Sequence, residues 1–176
     1  MSVKKDLDVI TIGRASVDLY GAQIGGRLED MRGFDKYIGG SPTNMAAGTA
    51  RLGLKSGLIT GVGDEHMGRF IREELTREGV NIEGIKVDPD RLTALVLLGI
   101  RDQERFPLIF YRENCADMGL CEDDIDPNYI ARARAPLKCI LFSTICASAP
   151  IGAVQPPSRV RKKIRSCVTQ SAVSLW

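Results

Sequence analysis

Gly39-Gly40-Ser41-Pro42-Thr43-Asn44-Met45-Ala46 is the stretch that decides how this chain is read. Two adjacent glycines let a backbone turn sharply and approach another group closely. Ser41 is a good helix N-cap, and Pro42 suits a first helical turn, where its missing N–H costs nothing. The spacing predicts a helix through Leu52, stopped by Gly53. Free N–H groups at such a helix start can bind polar or anionic oxygens. Asn44, in that first turn, carries both a donor and an acceptor. Two readings stand side by side here: a cradle for a polyhydroxy or carboxylate ligand, and a plain strand–turn–helix connection.

Upstream, Leu7–Gly13 is a short apolar run rich in β-branched residues and reads as a buried strand. Residues 17–26 and 33–38 are strand-like and broken by glycines, as in a small hairpin or lid. Downstream, Lys55–Thr60 reads as a strand and Gly61–Asp64 as a turn, with Asp64 the expected cap of a helix over His66–Glu78. Met67, Phe70, Ile71 and Leu75 share one face of that helix, and Gly79 ends it. Strands are expected at Ala94–Ile100 and Leu108–Tyr111, then a short helix from Asp126-Pro127 to about Arg134, then a strand over Lys138–Phe142. Strands alternating with helices indicate an α/β fold.

The bulk numbers exclude several classes. The chain has 176 residues, 44% hydrophobic and 26% charged, which suits one globular domain. No apolar run reaches the length of a membrane span, and the polar start Met1–Lys5 does not resemble a secretory leader, so a cytoplasmic protein is expected. Five cysteines without Cys-x-x-Cys spacing and a single histidine, His66, argue against a zinc site or a disulfide framework. Charge is unevenly spread. Residues 1–126 carry 16 Lys/Arg against 22 Asp/Glu, a balance of −6, whereas residues 127–176 carry eight basic residues and no acid. After about Ala147 the periodicity fails. Pro150, Pro156 and Pro157 interrupt it, and Arg159–Arg165 is a basic cluster without interleaved aromatics, which argues against nucleic-acid binding. The expected division is a domain over residues 1–146, with a lid at about 17–38, and an atypical basic, disordered tail over 147–176.

Several motifs stand in register. The pattern Gly-Gly-x-Pro-x-Asn-x-Ala, then Gly53, then Gly63, resembles the N-terminal signature of the PfkB (ribokinase-like) carbohydrate kinases. Asp18, five residues after Gly13, matches that family's sugar-hydroxyl-binding aspartate. Gly63-Asp64-Glu65-His66-Met67-Gly68 is similar to its Gly-Asp-x-x-x-Gly turn. The words GRASVDLY, FDKYIGGSPTNMA and FYRENCADMGL look closest to the family's kinases of sugar acids, 5-dehydro-2-deoxygluconate of inositol breakdown above all.

The resemblance implies a ribokinase-like sheet flanked by helices, with a small β lid. It implies ATP and Mg2+ as cofactors, a sugar acid as small-molecule partner, and pairing of two copies through the lid. It also implies site roles. Asp18 would accept hydrogen bonds from sugar hydroxyls, with Ser16 on the same loop. Gly39 and Gly40 would present backbone, and Asn44 would bond a hydroxyl. Tyr111-Arg112 would face the substrate, the planar fork of Arg112 suiting a carboxylate; the bland alternative for Arg112 is a salt bridge to Glu113. The family's catalytic base lies in a Gly-Ala-Gly-Asp word, absent from this sequence, as are a Walker A and a Gly-x-Gly-x-x-Gly motif. No catalytic or metal-binding residue is therefore expected here. The expectation is a kinase fragment truncated on its C-terminal side, or a non-catalytic sugar-binding piece.

Overall fold

The computed structural model describes residues 4–102 and 104–138. Within them the chain forms β1 (Leu7–Ile12), β2 (Ser16–Gly21), β3 (Phe34–Gly39), α1 (Ser41–Arg51), β4 (Ser56–Gly63) and α2 (His66–Arg77). Then follow β5 (Ile85–Asp88), β6 (Ala94–Leu98), β7 (Leu108–Tyr111), α3 (Pro127–Ala131) and β8 (Ala133–Lys138). The strands build two sheets. One is parallel, in the order β5-β4-β1-β8. The other is mixed, in the order β3-β2-β6-β7, with β2 and β6 parallel and both outer pairs antiparallel.

The parallel sheet is covered on both faces, as parallel sheets require. Every residue of β4 is buried. Because successive side chains point to opposite faces, Leu58 and Val62 join the core under α1 and α2 with Ala46, Ala47, Ile71 and Leu75. Ile59 faces the other way, into a second core with Ile10, Leu120 and Tyr129 of α3. Ala46 and Ala47 are what let α1 lie close on the sheet, and Ser56 Oγ donates to the Ala46 carbonyl at 2.7 Å.

Helix ends follow the sequence in part. Gly53 and Gly79 close α1 and α2 at φ 86° and 79°, and Val80 N–H returns to the Leu75 carbonyl at 2.9 Å, the geometry that glycine permits. The N-caps of α1 and α2 each differ from expectation by one residue. Gly40, not Ser41, caps α1, because the chain turns there at φ 97° and Ser41 is already helical. Glu65, not Asp64, caps α2: its carboxylate accepts from Met67 N–H at 2.6 Å and Gly68 N–H at 3.1 Å.

Strand bounds differ too. β4 runs on to Gly63, through the expected turn, because Gly61–Gly63 pair with Lys86–Asp88 of β5, a strand the sequence did not announce. The helix after Asp126 stops at Ala131, since residues 133–138 are drawn into parallel pairing with β1. The expected strand over 138–142 and the expected tail over 147–176 lie, apart from Lys138, outside the described residues. Among the described residues, no helix is long and apolar enough to cross a membrane.

Candidate functional site

The glycine turn joins β3 to α1 against the loop that follows β1, at the C-terminal ends of the parallel strands. Crevices at that end of an α/β sheet are where ligands collect. Antiparallel pairing of β2 with β3 sets Ser16 opposite Gly39 and Asp18 opposite Tyr37. Gly39 has no side chain because Asp18 occupies the space: a Cβ there would overlap both the carboxylate oxygens and Cγ. Ser16 Oγ donates to Asp18 Oδ1 at 3.0 Å. Burial raises the Asp18 pKa above 3.8; the Ser16 hydroxyl and the Arg14 charge pull the other way and do not outweigh it.

Gly40 is tied to the same loop. At φ 97° a side chain would be strained, and a Cβ would overlap the Arg14 carbonyl. Thr43, buried in the first turn of α1, donates from its hydroxyl to that carbonyl at 3.1 Å. Thr11 of β1 donates to the Pro42 carbonyl at 2.9 Å. The turn is thus fastened to β1 and to the loop holding Arg14. Asn44 lies exposed on α1, its N–H bonded to the Gly40 carbonyl at 2.9 Å.

A second carboxylate lies nearby. Asp117, in a short 3-10 turn over Ala116–Gly119, has a fully buried side chain. Its Oδ2 takes Arg112 Nε at 3.0 Å and Nη2 at 2.5 Å, while its Oδ1 is buried without a partner. Arg112 therefore pairs with Asp117, not with Glu113. Burial raises the Asp117 pKa, opposed by the Arg112 hydrogen bonds and charge and by the charge of Arg14. Gly61 makes room for this turn, since a Cβ there would overlap the Ala116 carbonyl. Tyr111 ends the outer strand β7 and is exposed.

Arg14 links the two carboxylates. Its charge acts on both Asp18 and Asp117, and its guanidinium stands 5.7 Å from the centre of the Phe110 ring. Sequence reasoning named neither Arg14 nor Asp117. Both sit inside quoted words, GRASVDLY and FYRENCADMGL, but only the fold brings β1's loop beside the turn after β7.

A cavity of about 470 Å3 lies elsewhere, on the α3 face of the parallel sheet, and Ile59, Lys86, Asp124 and Tyr129 are among its walls. Its cations are already engaged: Lys86 with Asp124 at 2.8 Å, and Arg132 with Asp6 and Glu83. Among the described residues, no grouping of three or more acidic, histidine or cysteine side chains could hold a metal.

Comparison with known proteins agrees with this layout. A family model described as pfkB family carbohydrate kinase matches residues 6–143. A 5-dehydro-2-deoxygluconokinase of Geobacillus kaustophilus is 40% identical over 149 residues, 84% of this chain and 43% of the relative. An uncharacterized sugar kinase of Pyrococcus horikoshii, solved with ATP, superposes with a TM-score of 0.71 at 29% identity, over 96% of this chain and 53% of that one. A putative ribokinase of E. coli, solved with ATP and Mg2+, gives 0.68 at 26% identity, over 75% and 42%. The fold is ribokinase-like, and the chain spans less than half the length of the curated relatives it matches.

Proposed function

The chain belongs to the pfkB family of carbohydrate kinases, and from that premise we propose that it forms the sugar-binding side of an ATP-dependent kinase for a sugar acid, 5-dehydro-2-deoxygluconate, acting in the cytoplasm in myo-inositol breakdown. The observation that carries the reading is the half-buried Asp18 carboxylate, seated in the notch left by Gly39 and flanked by Ser16 and by arginine charge. A carboxylate so placed accepts hydrogen bonds from sugar hydroxyls. The backbone at Gly39 and Gly40 borders the same space, and Asn44 and Tyr111 supply further polar contacts. The name of the Geobacillus relative supports the choice of sugar acid.

Phosphoryl transfer needs positioned phosphates, a metal to offset their charge, and usually a group that takes the hydroxyl proton. The described residues do not fit that part: they hold no metal-ligating cluster, and the sequence has no Gly-Ala-Gly-Asp word. The chemistry of transfer is not assigned to this chain. Its own role is binding, which keeps a non-catalytic sugar-binding piece as the second reading. The outer strands β3 and β7 expose Phe34, Tyr37, Leu108 and Phe110, and pairing of two copies through this sheet would cover them.

The test is thermal unfolding of the 176-residue chain with 5-dehydro-2-deoxygluconate or with neutral 2-deoxyglucose, alongside a turnover assay with ATP and Mg2+. The sugar acid is expected to raise Tm, as any ligand of the native state does. Turnover is expected to stay at background. No stabilisation by the acid would end the sugar-acid reading, and measurable turnover would end the assignment of binding alone.

A further inference from the structure

We propose that Arg14, not Arg112, receives the carboxylate of the substrate, so that a bound sugar acid lies with its acid end at Arg14 and its hydroxyls toward Asp18. The inference rests on the sugar-acid reading above and names the residue that would carry it.

Arg112 is spent within the protein. Two of its donors are fixed on Asp117 Oδ2, and that carboxylate is fully buried. A buried carboxylate needs its counter-ion, because an unpaired charge in the interior is costly. The pair cancels locally, and Arg112 acts as the holder of the 3-10 turn.

Arg14 is not spent. Its Nε is buried without a hydrogen-bond partner. Among the described residues, its guanidinium makes no hydrogen bond or ion pair, although its charge is felt by Asp18 and by Asp117. Its position is nevertheless defined. Thr43 and Gly40 clamp its carbonyl, and its guanidinium carbon lies over the Phe110 ring, 5.7 Å from the ring centre. A guanidinium in cation–π contact with an aromatic face makes no hydrogen bond there, so its N–H donors stay available to a carboxylate.

With Arg112 and Asp117 cancelled, the described residues of the site present one uncommitted cation, Arg14, and one half-buried carboxylate, Asp18. The ligand that answers both is a polyhydroxy monocarboxylate. A neutral sugar answers only Asp18.

The experiment is isothermal titration of the chain with 5-dehydro-2-deoxygluconate and with its carboxamide, which keeps the hydroxyls and removes the charge. The wild-type chain should prefer the acid by about 10- to 100-fold, the range of a charge-assisted pair. In Arg14→Met, which keeps an apolar stem and removes the charge, that preference should fall to near unity. Arg14→Lys, which keeps the charge without the fork, should retain part of it and stands in if the methionine variant does not fold. Arg112→Met should lower Tm and keep the preference. If the preference survives in Arg14→Met, or is lost only in Arg112→Met, the assignment of Arg14 is overturned while the sugar-acid reading stands. A wild-type chain with no preference, or with no binding of either ligand, overturns both.

Discussion

Two glycine turns precede two helices in this chain, and glycine serves a different purpose in each. At Gly39 the missing side chain leaves room for a charged side chain, the Asp18 carboxylate. At Gly63 and Gly68 it leaves room for the chain's own backbone: a Cβ on Gly68 would overlap the Gly63 carbonyl, and one on Gly63 would come within 2.6 Å of the Arg91 carbonyl. The carboxylates beside the two turns differ in the same sense. Glu65 is saturated, accepting from Met67 N–H, Gly68 N–H and Thr93 N–H at 2.6, 3.1 and 3.2 Å. Asp18 accepts from Ser16 and keeps capacity for a ligand. One turn is packing and the other is site, though both look alike as glycine-rich words ahead of a helix.

The comparison breaks most readily at Gly68. Gly68→Ala forces a methyl against backbone that cannot swing aside, and overpacking of that kind costs about 3 kcal/mol. Urea unfolding should show a large fall in midpoint. Any sugar affinity left in the folded fraction should be unchanged. A neutral substitution would mean that the two helix starts are not fastened as described. Gly39→Ala should do the reverse. Gly39 lies in a strand at ordinary φ, and what its methyl meets is the end of a side chain, so the stability loss should stay near about 1 kcal/mol. The Asp18 carboxylate must move, however, and sugar-acid affinity should fall about tenfold or more by titration, the cost of one charge-assisted hydrogen bond. Equal effects of the two alanines on both readouts would erase the distinction.

Much of this difference was hidden from the sequence. The helix from Ser41, its stop at Gly53, the strand of Leu7–Ile12 and the short strand Leu108–Tyr111 were legible, because glycine, proline and apolar period act locally. β5 was not, since the alternation of Ile85–Asp88 lasts only four residues and is fixed as a strand by pairing of Lys86–Asp88 with Gly61–Gly63. Asp64 is the better N-cap by residue type; Glu65 takes the role because its carboxylate also reaches Thr93, 28 residues away. The same holds at the site. Asp18, Gly39 and Ser16 were named together through the family resemblance, and the antiparallel pairing of β2 with β3 sets them side by side. The pairing of Arg112 with Asp117 and the freedom of Arg14 depend on a loop after β1 meeting a turn more than a hundred residues later, which no local spacing encodes.

The finest test of the two turns is their opposite response to pH. Burial raises the Asp18 pKa above 3.8, with only the Ser16 hydroxyl and the Arg14 charge in opposition. Burial also acts on Glu65, but hydrogen bonds from Thr93, Met67 and Gly68 outweigh it, and its pKa lies below 4.5. By linkage, a raised carboxyl means that the native state holds its proton longer than the unfolded chain. The Asp18 contribution is therefore complete below 3.8 and is lost as pH rises through its folded pKa. For Glu65 the native state releases its proton sooner, so its contribution is present above 4.5 and is lost as pH falls through its folded pKa. Denaturant unfolding of Asp18→Asn and Glu65→Gln, compared with wild type from about pH 3 to about pH 6, should give difference curves of opposite slope, each below about 1 kcal/mol in span. Slopes of the same sign would mean that Asp18 is as fully bonded as Glu65 in the free protein, and that no capacity is left at Gly39 for a ligand to use.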